Sequence, residues 1–348
     1  MTVDFLIIGQ GISGTVLAKT IENNSLSYFI LDKNNKITSS KVAAGIMQPI
    51  SFKRCILSWR AEQFFEFSKL FYKKIDTLYK SNHFSPIKLV RIFSSFEEQN
   101  NWMGRSSSKI YEKHLGTEDH NYKNIINQYG SSEVKTAHRL KVGEFLKSSK
   151  IYFSEKKSLN EESVDVNQIY KHNNMFIYKN ISAKYIVMCQ GVNSNENDVF
   201  NYLPIIPNKG ELIEIQSNYL PKVMLSKGTF TLPFGKNKYT VGSTYNHRDL
   251  SENITLSAKN HLLSNFKKIT PLNTFQIIDH KYGFRPTTKD RKPIIGEHPE
   301  IKNLYIFNGM GSKAVLMAPL LAKELIDNII KNHPLHSEVS VKRFVKNY

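Results

Sequence analysis

The sequence predicts an α/β nucleotide-binding domain interleaved with an antiparallel β-rich domain. Three observations predict it. The N-terminus has a strand–glycine loop–helix–strand order. Residues 228–244 (GTFTLPFGKNKYTVGST) alternate in the manner of short strands around a glycine turn. A strand followed by an apolar helix then returns at the C-terminal end. A length of 348 residues is compatible with two domains of about 150 residues each.

The elements follow in order. Residues 3–8 (VDFLII) read as a buried strand, GQGISG as a turn, and Val16, Leu17 and Ile21 as one side of a helix. A second strand over residues 28–31 ends in Asp32. Residues 39–49 form a loop of small side chains. A long aromatic helix is expected from about Ile56 to Tyr79, packed in the core. Residues 97–135 are polar and read as peripheral helices and loops. Another buried strand, 185–189, ends at Gln190-Gly191. A proline-rich crossing and a strand occupy 203–215, the hairpin has its turn at 235–237, and a helix lies near 257–268. The last helix runs from about Lys313 to Ile330, with Pro319 expected to kink it or limit its first turn. The expected division is 1–52, 133–205 and 281–348 for the nucleotide-binding domain, and 53–132 and 206–280 for the substrate or cap domain.

Composition narrows the function. Hydrophobic residues make up 40% and charged residues 22%, ordinary for a globular chain. No run of 18 apolar residues exists, so no transmembrane helix is expected. Cys55 and Cys189 stand 134 positions apart, which excludes a disulfide scaffold and a CxxC metal site and fits a cytoplasmic location. No metal site is expected. Asp4 precedes the apolar run Phe5–Ile8 without a basic segment, so no signal peptide is expected. The net charge of +18 has two readings. One is a solvated lysine-rich surface, since only nine of the 48 basic residues are arginines. The other is a polyanionic partner such as tRNA.

The chemistry concentrates at the glycines. Gly9-x-Gly11-x-x-Gly14 follows a strand and opens a helix, and Asp32 stands 18 residues after Gly14 at the end of the next strand. Gly9 permits the tight turn, Gly11 the approach of a pyrophosphate, and Gly14 close helix–strand contact. The helix N-terminus favours the phosphates, and Asp32 accepts the ribose hydroxyls. These parts in this order point to a dinucleotide. A second glycine constellation, Gly309-Met310-Gly311-Ser312, precedes the final helix. A helix N-terminus stabilises negative charge, and reduced flavin is anionic, so this pairing suits FAD rather than NAD.

The chain resembles the D-amino acid oxidase family of FAD-dependent oxidoreductases, in the style of glycine oxidase and sarcosine oxidase. The resemblance covers almost the whole chain. It rests on GQGISG with Asp32, SSKVAAGIMQP, IVMCQG, PNKGELIEI with TLPFG and VGSTY, and GFRPTTKDRKPIIG followed by NLYIFNGMGSKAVLMAP. About 95–150 match nothing in it. The resemblance implies a Rossmann-like FAD-binding domain interleaved with the antiparallel one. It implies FAD contacts from Gly9, Gly11, Ile12, Ser13, Gly14, Asp32, Lys33, Ser40, Ala43, Ala44, Gly45, Gly191, Gly309, Gly311, Ser312 and Lys313. Ala43, Ala44 and Gly45 are expected to let backbone approach the ring and phosphate, and Gly191 to lie near the adenosine part, where a side chain would clash. Arg285 in GFRP is expected to grip a substrate carboxylate as a planar fork. Asp290 and Arg291 are expected to hold the following turn.

Departures from the family pattern also matter. Phe230 stands where glycine oxidase-like proteins carry a tyrosine. Ser312-Lys313 replaces an arginine, so Lys313 either provides a point charge at the site or faces solvent. No cysteine follows Cys189, so the FAD is expected to be non-covalent. The reaction implied is oxidation of the C–N bond of a small amine or amino acid by hydride transfer to the flavin, giving an imine that water hydrolyses. Oxygen or an electron carrier would be the acceptor. Two alternatives stand beside it: FAD-dependent removal of a carboxymethyl group from a tRNA wobble uridine, and flavin binding without amine chemistry.

Overall fold

The computed structural model describes residues 1–196 and 199–347. Two sheets dominate. In the first, Leu159–Glu161, Tyr28–Asp32, Thr2–Ile8, Ile181–Met188 and Leu304–Asn308 run parallel in that order. Ile181–Met188 also pairs antiparallel with Met175–Tyr178 over its first half, and Ile294–Glu297 pairs antiparallel with Leu304–Asn308. The central strand is buried on both faces. Phe5 and Ile7 enter one core with the helix Ile12–Asn23, while Val3, Leu6 and Ile8 enter another. That two-sided burial explains a continuous apolar run without alternation.

The second sheet has the strand order Gln276–Thr288, Ile205–Gln216, Lys238–Gly242, Thr229–Gly235, Met224–Lys227, Leu89–Ile92 and Ser131–Val134. Every pair is antiparallel except Met224–Lys227 with Leu89–Ile92. Alternation assigns its faces. Ile213 and Ile215 pack with Val241 and Tyr239 against the helix Leu256–Phe266, whereas Gly210 and Leu212 face a cavity between the two sheets.

The structure refines several expectations. The helix expected from Ile56 begins at Ala61 and ends at Tyr79, and Ile56–Leu57 instead pairs with Ile50–Ser51. The loop at 39–49 contains a short helix, Ser39–Val42, and the strand Ile46–Met47. The boundary at 281 falls inside Gln276–Thr288, which stays paired with Ile205–Gln216 as far as Thr288. Segment 53–132 divides. Leu89–Ile92 joins the second sheet, but the helix Ala61–Tyr79 packs on the final helix Ala314–Lys331. Its Phe64, Phe65, Tyr72 and Ile75 share a core with Phe5, Val16 and Leu321 because its apolar stripe faces that helix.

That packing also accounts for Pro319. The residue sits well inside the final helix, not in its first turn. Proline lacks the N–H that would reach the carbonyl four residues earlier, which is Val315. The Tyr72 hydroxyl donates to that carbonyl at 2.9 Å, and Ser68 Oγ donates to the Leu316 carbonyl at 2.7 Å. Tyr72 is 1% exposed, so its loss would leave a buried acceptor unpaired. Tyr72→Phe is expected to cost roughly 1–3 kcal/mol in denaturant unfolding. In a Pro319→Ala background, which restores the helical donor, the same change is expected to cost clearly less; equal costs would show that the hydroxyl does not replace the missing bond.

Candidate active site

A cavity of about 1460 Å³ opens between the sheets. It exceeds the roughly 300–1,000 Å³ of a single small-ligand pocket and has room for a dinucleotide together with a second, smaller molecule. At one end it is lined by the N-terminal glycine turn and the end of the second strand; at the other, by the second sheet and the start of the final helix.

The glycine turn fits a phosphate cradle. Gly9 has φ +107°, and a Cβ there would lie 2.7 Å from the Cys189 carbonyl oxygen; a Cβ on Gly14 would lie 1.8 Å from the carbonyl oxygen of Gly9. Those two positions are closed by the protein's own backbone. Gly11 differs, because a Cβ there would meet only Ser40 Oγ, at 3.3 Å, and would otherwise occupy the cavity. Ser40 Oγ accepts from the Ile12 N–H at 3.2 Å. Gly11, the N-cap of the helix Ile12–Asn23, has no side chain of its own to accept from the first turn, and Gly11, Ile12 and Ser13 line the cavity, so the positive end of the helix faces it. Asp32 is fixed beside it: Oδ1 accepts from the Gln10 N–H at 2.8 Å and Oδ2 from the Asn34 N–H at 2.9 Å. Each carboxylate oxygen keeps a further lone pair.

The structure brings most of the sequence-derived residues to this cavity. Gly9, Gly11, Ile12, Ser13, Asp32, Lys33, Ser40, Ala43, Ala44, Gly45, Gly191, Gly311, Ser312, Lys313 and Arg285 line it. Gly14 and Gly309 stand behind its wall. Gly309 is held by backbone shape and by Thr288 Cγ2, 3.0 Å from where a Cβ would be. Two of these glycines also answer to the protein's own backbone. Gly191 has a left-handed backbone, φ +62°, and a Cβ there would meet no protein atom within 4 Å and would enter the cavity. A Cβ on Gly45 would lie 1.7 Å from the Leu140 carbonyl oxygen, so strand packing by itself requires a glycine there. Asp290 does hold its turn, accepting from the Lys292 N–H at 3.1 Å and Arg343 Nε at 3.0 Å. Arg291 is exposed.

Arg285 projects from Gln276–Thr288 and is held by neutral acceptors. Nη1 donates to Asn208 Oδ1 at 3.2 Å and to the Thr244 carbonyl at 3.1 Å, and Nη2 donates to Ser243 Oγ at 2.7 Å. The Tyr245 ring lies 4.3 Å from the guanidinium carbon. Burial lowers the Arg285 pKa, and no described carboxylate pairs with the group. Lys313, at the start of the final helix, turns inward and donates to Ser58 Oγ. Lys313 lines the cavity, and burial lowers its pKa as well.

Several contributors escaped sequence reading. Arg139 Nε donates to the Ala44 carbonyl at 3.2 Å and Nη1 to the Pro233 carbonyl at 2.9 Å, tying the small-residue loop to the second sheet. Gly210 gives Arg285 its space, because a Cβ there would lie 2.2 Å from the guanidinium nitrogen Nη2. Asn208 faces Arg285 in strand register. Only the Gly210 segment carried a signal, as part of PNKGELIEI. Phe230 lines the cavity without a hydroxyl.

The profile of the family described as FAD dependent oxidoreductase (DAO) matches residues 150–328. Glycine oxidase of Pseudomonas aeruginosa is 27% identical over 136 residues, 38% of this chain and 37% of that protein. Glycine oxidase of Bacillus subtilis is 28% identical over 163 residues, 45% of this chain and 43% of that protein. The chain therefore spans less than half the length of these curated relatives. Among solved structures, iminodiacetate oxidase from Chelativorans sp. BNC1 superposes with a TM-score of 0.79 at 18% identity, covering 98% of both chains. Glycine oxidase from Bacillus cereus ATCC 14579 superposes with a TM-score of 0.76 at 19% identity, covering 95% of this chain and 96% of that one. These structures share the fold of two interleaved sheets. With the family profile matching half of its length, the chain belongs to the DAO family of FAD dependent oxidoreductases.

Proposed function

We propose that the cavity oxidises the C–N bond of a small amine or amino acid, with Arg285 as the anchor for the substrate's carboxylate. The observation that carries this reading is a half-buried guanidinium with three neutral acceptors in the cavity that also contains the glycine cradle. A planar fork matches a carboxylate with two parallel hydrogen bonds and so fixes the orientation of the carbon beside it. FAD, when bound, supplies the two-electron acceptor. It would be held by the Gly9–Gly14 turn, Asp32 with Lys33, Ser40, the Ala43–Gly45 loop, Gly191 and the Gly311–Lys313 turn. The chain adds little acid–base machinery: its contribution is orientation and a positive field. Arg285 and Lys313 both favour the neutral form of an amine, from which a C–N bond is more readily oxidised. Oxygen or an electron carrier takes the electrons onward.

The relatives and structural neighbours give no support to the tRNA-modifying alternative. A flavin protein without amine chemistry would be favoured by an Arg285 turned away from the cavity, and Arg285 lines it.

Anaerobic bleaching of the yellow holoprotein with glycine, sarcosine, iminodiacetate, proline and D- and L-amino acids tests the reading. At least one carboxylate-bearing amine is expected to bleach the flavin. For that substrate, Arg285→Ala is expected to lose on the order of 3–5 kcal/mol in kcat/KM, and Arg285→Lys less, with FAD content unchanged. Turnover by Arg285→Ala within a few-fold of the parent would place the anchor elsewhere.

Lys313 gives a pH prediction. Its folded-state pKa is lowered by burial, so its positive charge is lost at a lower pH than for a free lysine. Activity that depends on this charge is expected to fall as pH rises through that value. Lys313→Arg keeps the charge and is expected to move the alkaline limb upward; an unmoved limb would remove Lys313 from the titration.

A further inference from the structure

The acceptors around Arg285 share a property that its anchoring role does not by itself require: all are uncharged. Strand Ile205–Gln216 shows how this is arranged. Asn208 and Gly210 face Arg285, while Lys209 and Glu211, one residue out of phase, face the opposite side. There the charges satisfy each other. Lys209 Nζ is 2.7 Å from Asp249 Oδ2. The Glu211 carboxylate accepts from the Thr255 N–H at 2.8 Å and its hydroxyl at 2.7 Å, with His280 Nε2 at 2.9 Å. The acid nearest to Asn208 on this strand, Glu211, is thus turned away from Arg285 and engaged.

Asn208 is 1% exposed and lies directly opposite Arg285 in register. A guanidinium offers only donors, so the amide must present its oxygen to Arg285. Its Nδ2 then points to the His247 ring, 2.9 Å away, which fixes the amide from its other end. An amide oxygen holds the guanidinium in place as an aspartate would, but leaves the positive charge for a ligand.

We propose that Asn208 is a positioning residue that sets the charge selectivity of the site: it orients Arg285 without neutralising it, so that the cavity prefers an anionic head group over a neutral one. This deepens the reading of Arg285 as a carboxylate anchor and rests on it.

The test is ligand binding to the FAD-loaded protein, read as perturbation of the flavin absorbance, with acetate as the anionic probe and acetamide as its neutral counterpart. Asn208→Ala is expected to weaken acetate several-fold through lost orientation. Asn208→Asp keeps an acceptor of nearly the same shape. At pH 8 it is expected to weaken acetate at least tenfold further. The ratio of acetate to acetamide affinity should fall in the same order. Ser243→Asp brings a carboxylate to Nη2 from another strand end, and the same loss is expected; it decides the matter if the first variant does not fold. FAD content and thermal midpoint establish that each variant is intact. Acetate binding by both aspartate variants as tight as by Asn208→Ala, while Arg285→Ala abolishes it, would overturn the proposal alone. Unchanged acetate binding by Arg285→Ala would overturn the anchor reading and this proposal with it.

Discussion

A guanidinium held inside a cavity by neutral groups is the constraint around which this site is built. Removing a cation from water is costly unless it is paired, and a paired one would have little left to offer a ligand. The chain resolves the conflict by partial measures. Three neutral acceptors and the face of Tyr245 compensate Arg285 without cancelling it. The missing side chain of Gly210 gives it room. The residual cost is the physical sense of its lowered pKa, and a bound carboxylate would relieve it.

Everything else positions that group against the dinucleotide cradle. The cradle belongs to the parallel sheet and Arg285 to the antiparallel one, so the site depends on the two keeping their relation. Arg139 links the Ala43–Gly45 loop to Pro233 of the second sheet. The helix Ala61–Tyr79 secures the final helix, whose first turn borders the cavity, by supplying Tyr72 and Ser68 to carbonyls near the proline. The helix expected on the substrate side thus packs on the helix whose start borders the cavity. Lys313, anchored to Ser58 just ahead of that helix, brings a second cation to the same space.

The cradle was legible because its requirements are local: a tight turn, a close helix and a carboxylate at the strand end each leave a residue type at a fixed spacing. Arg285 was legible through its GFRP setting. What sequence alone hid was non-local. Asn208 faces Arg285 only because two strands 77 residues apart pair in one register, and a one-residue slip would have put Lys209 there. Arg139 and Ser58 act through carbonyl and hydroxyl contacts that leave no pattern in the chain. At Gly45 and Gly191 the backbone makes demands of its own that the sequence did not reveal. A glycine signals a demand on the backbone, but not whether packing, φ or a ligand makes that demand.

The most direct measurement is a crystal structure of the FAD-loaded protein with a small carboxylate bound. The account predicts the carboxylate paired to the Arg285 guanidinium, which still contacts Asn208 and Ser243, with the pyrophosphate over Gly11. A carboxylate bound elsewhere in the cavity, or an Arg285 swung onto one of the protein's own acids, would contradict it.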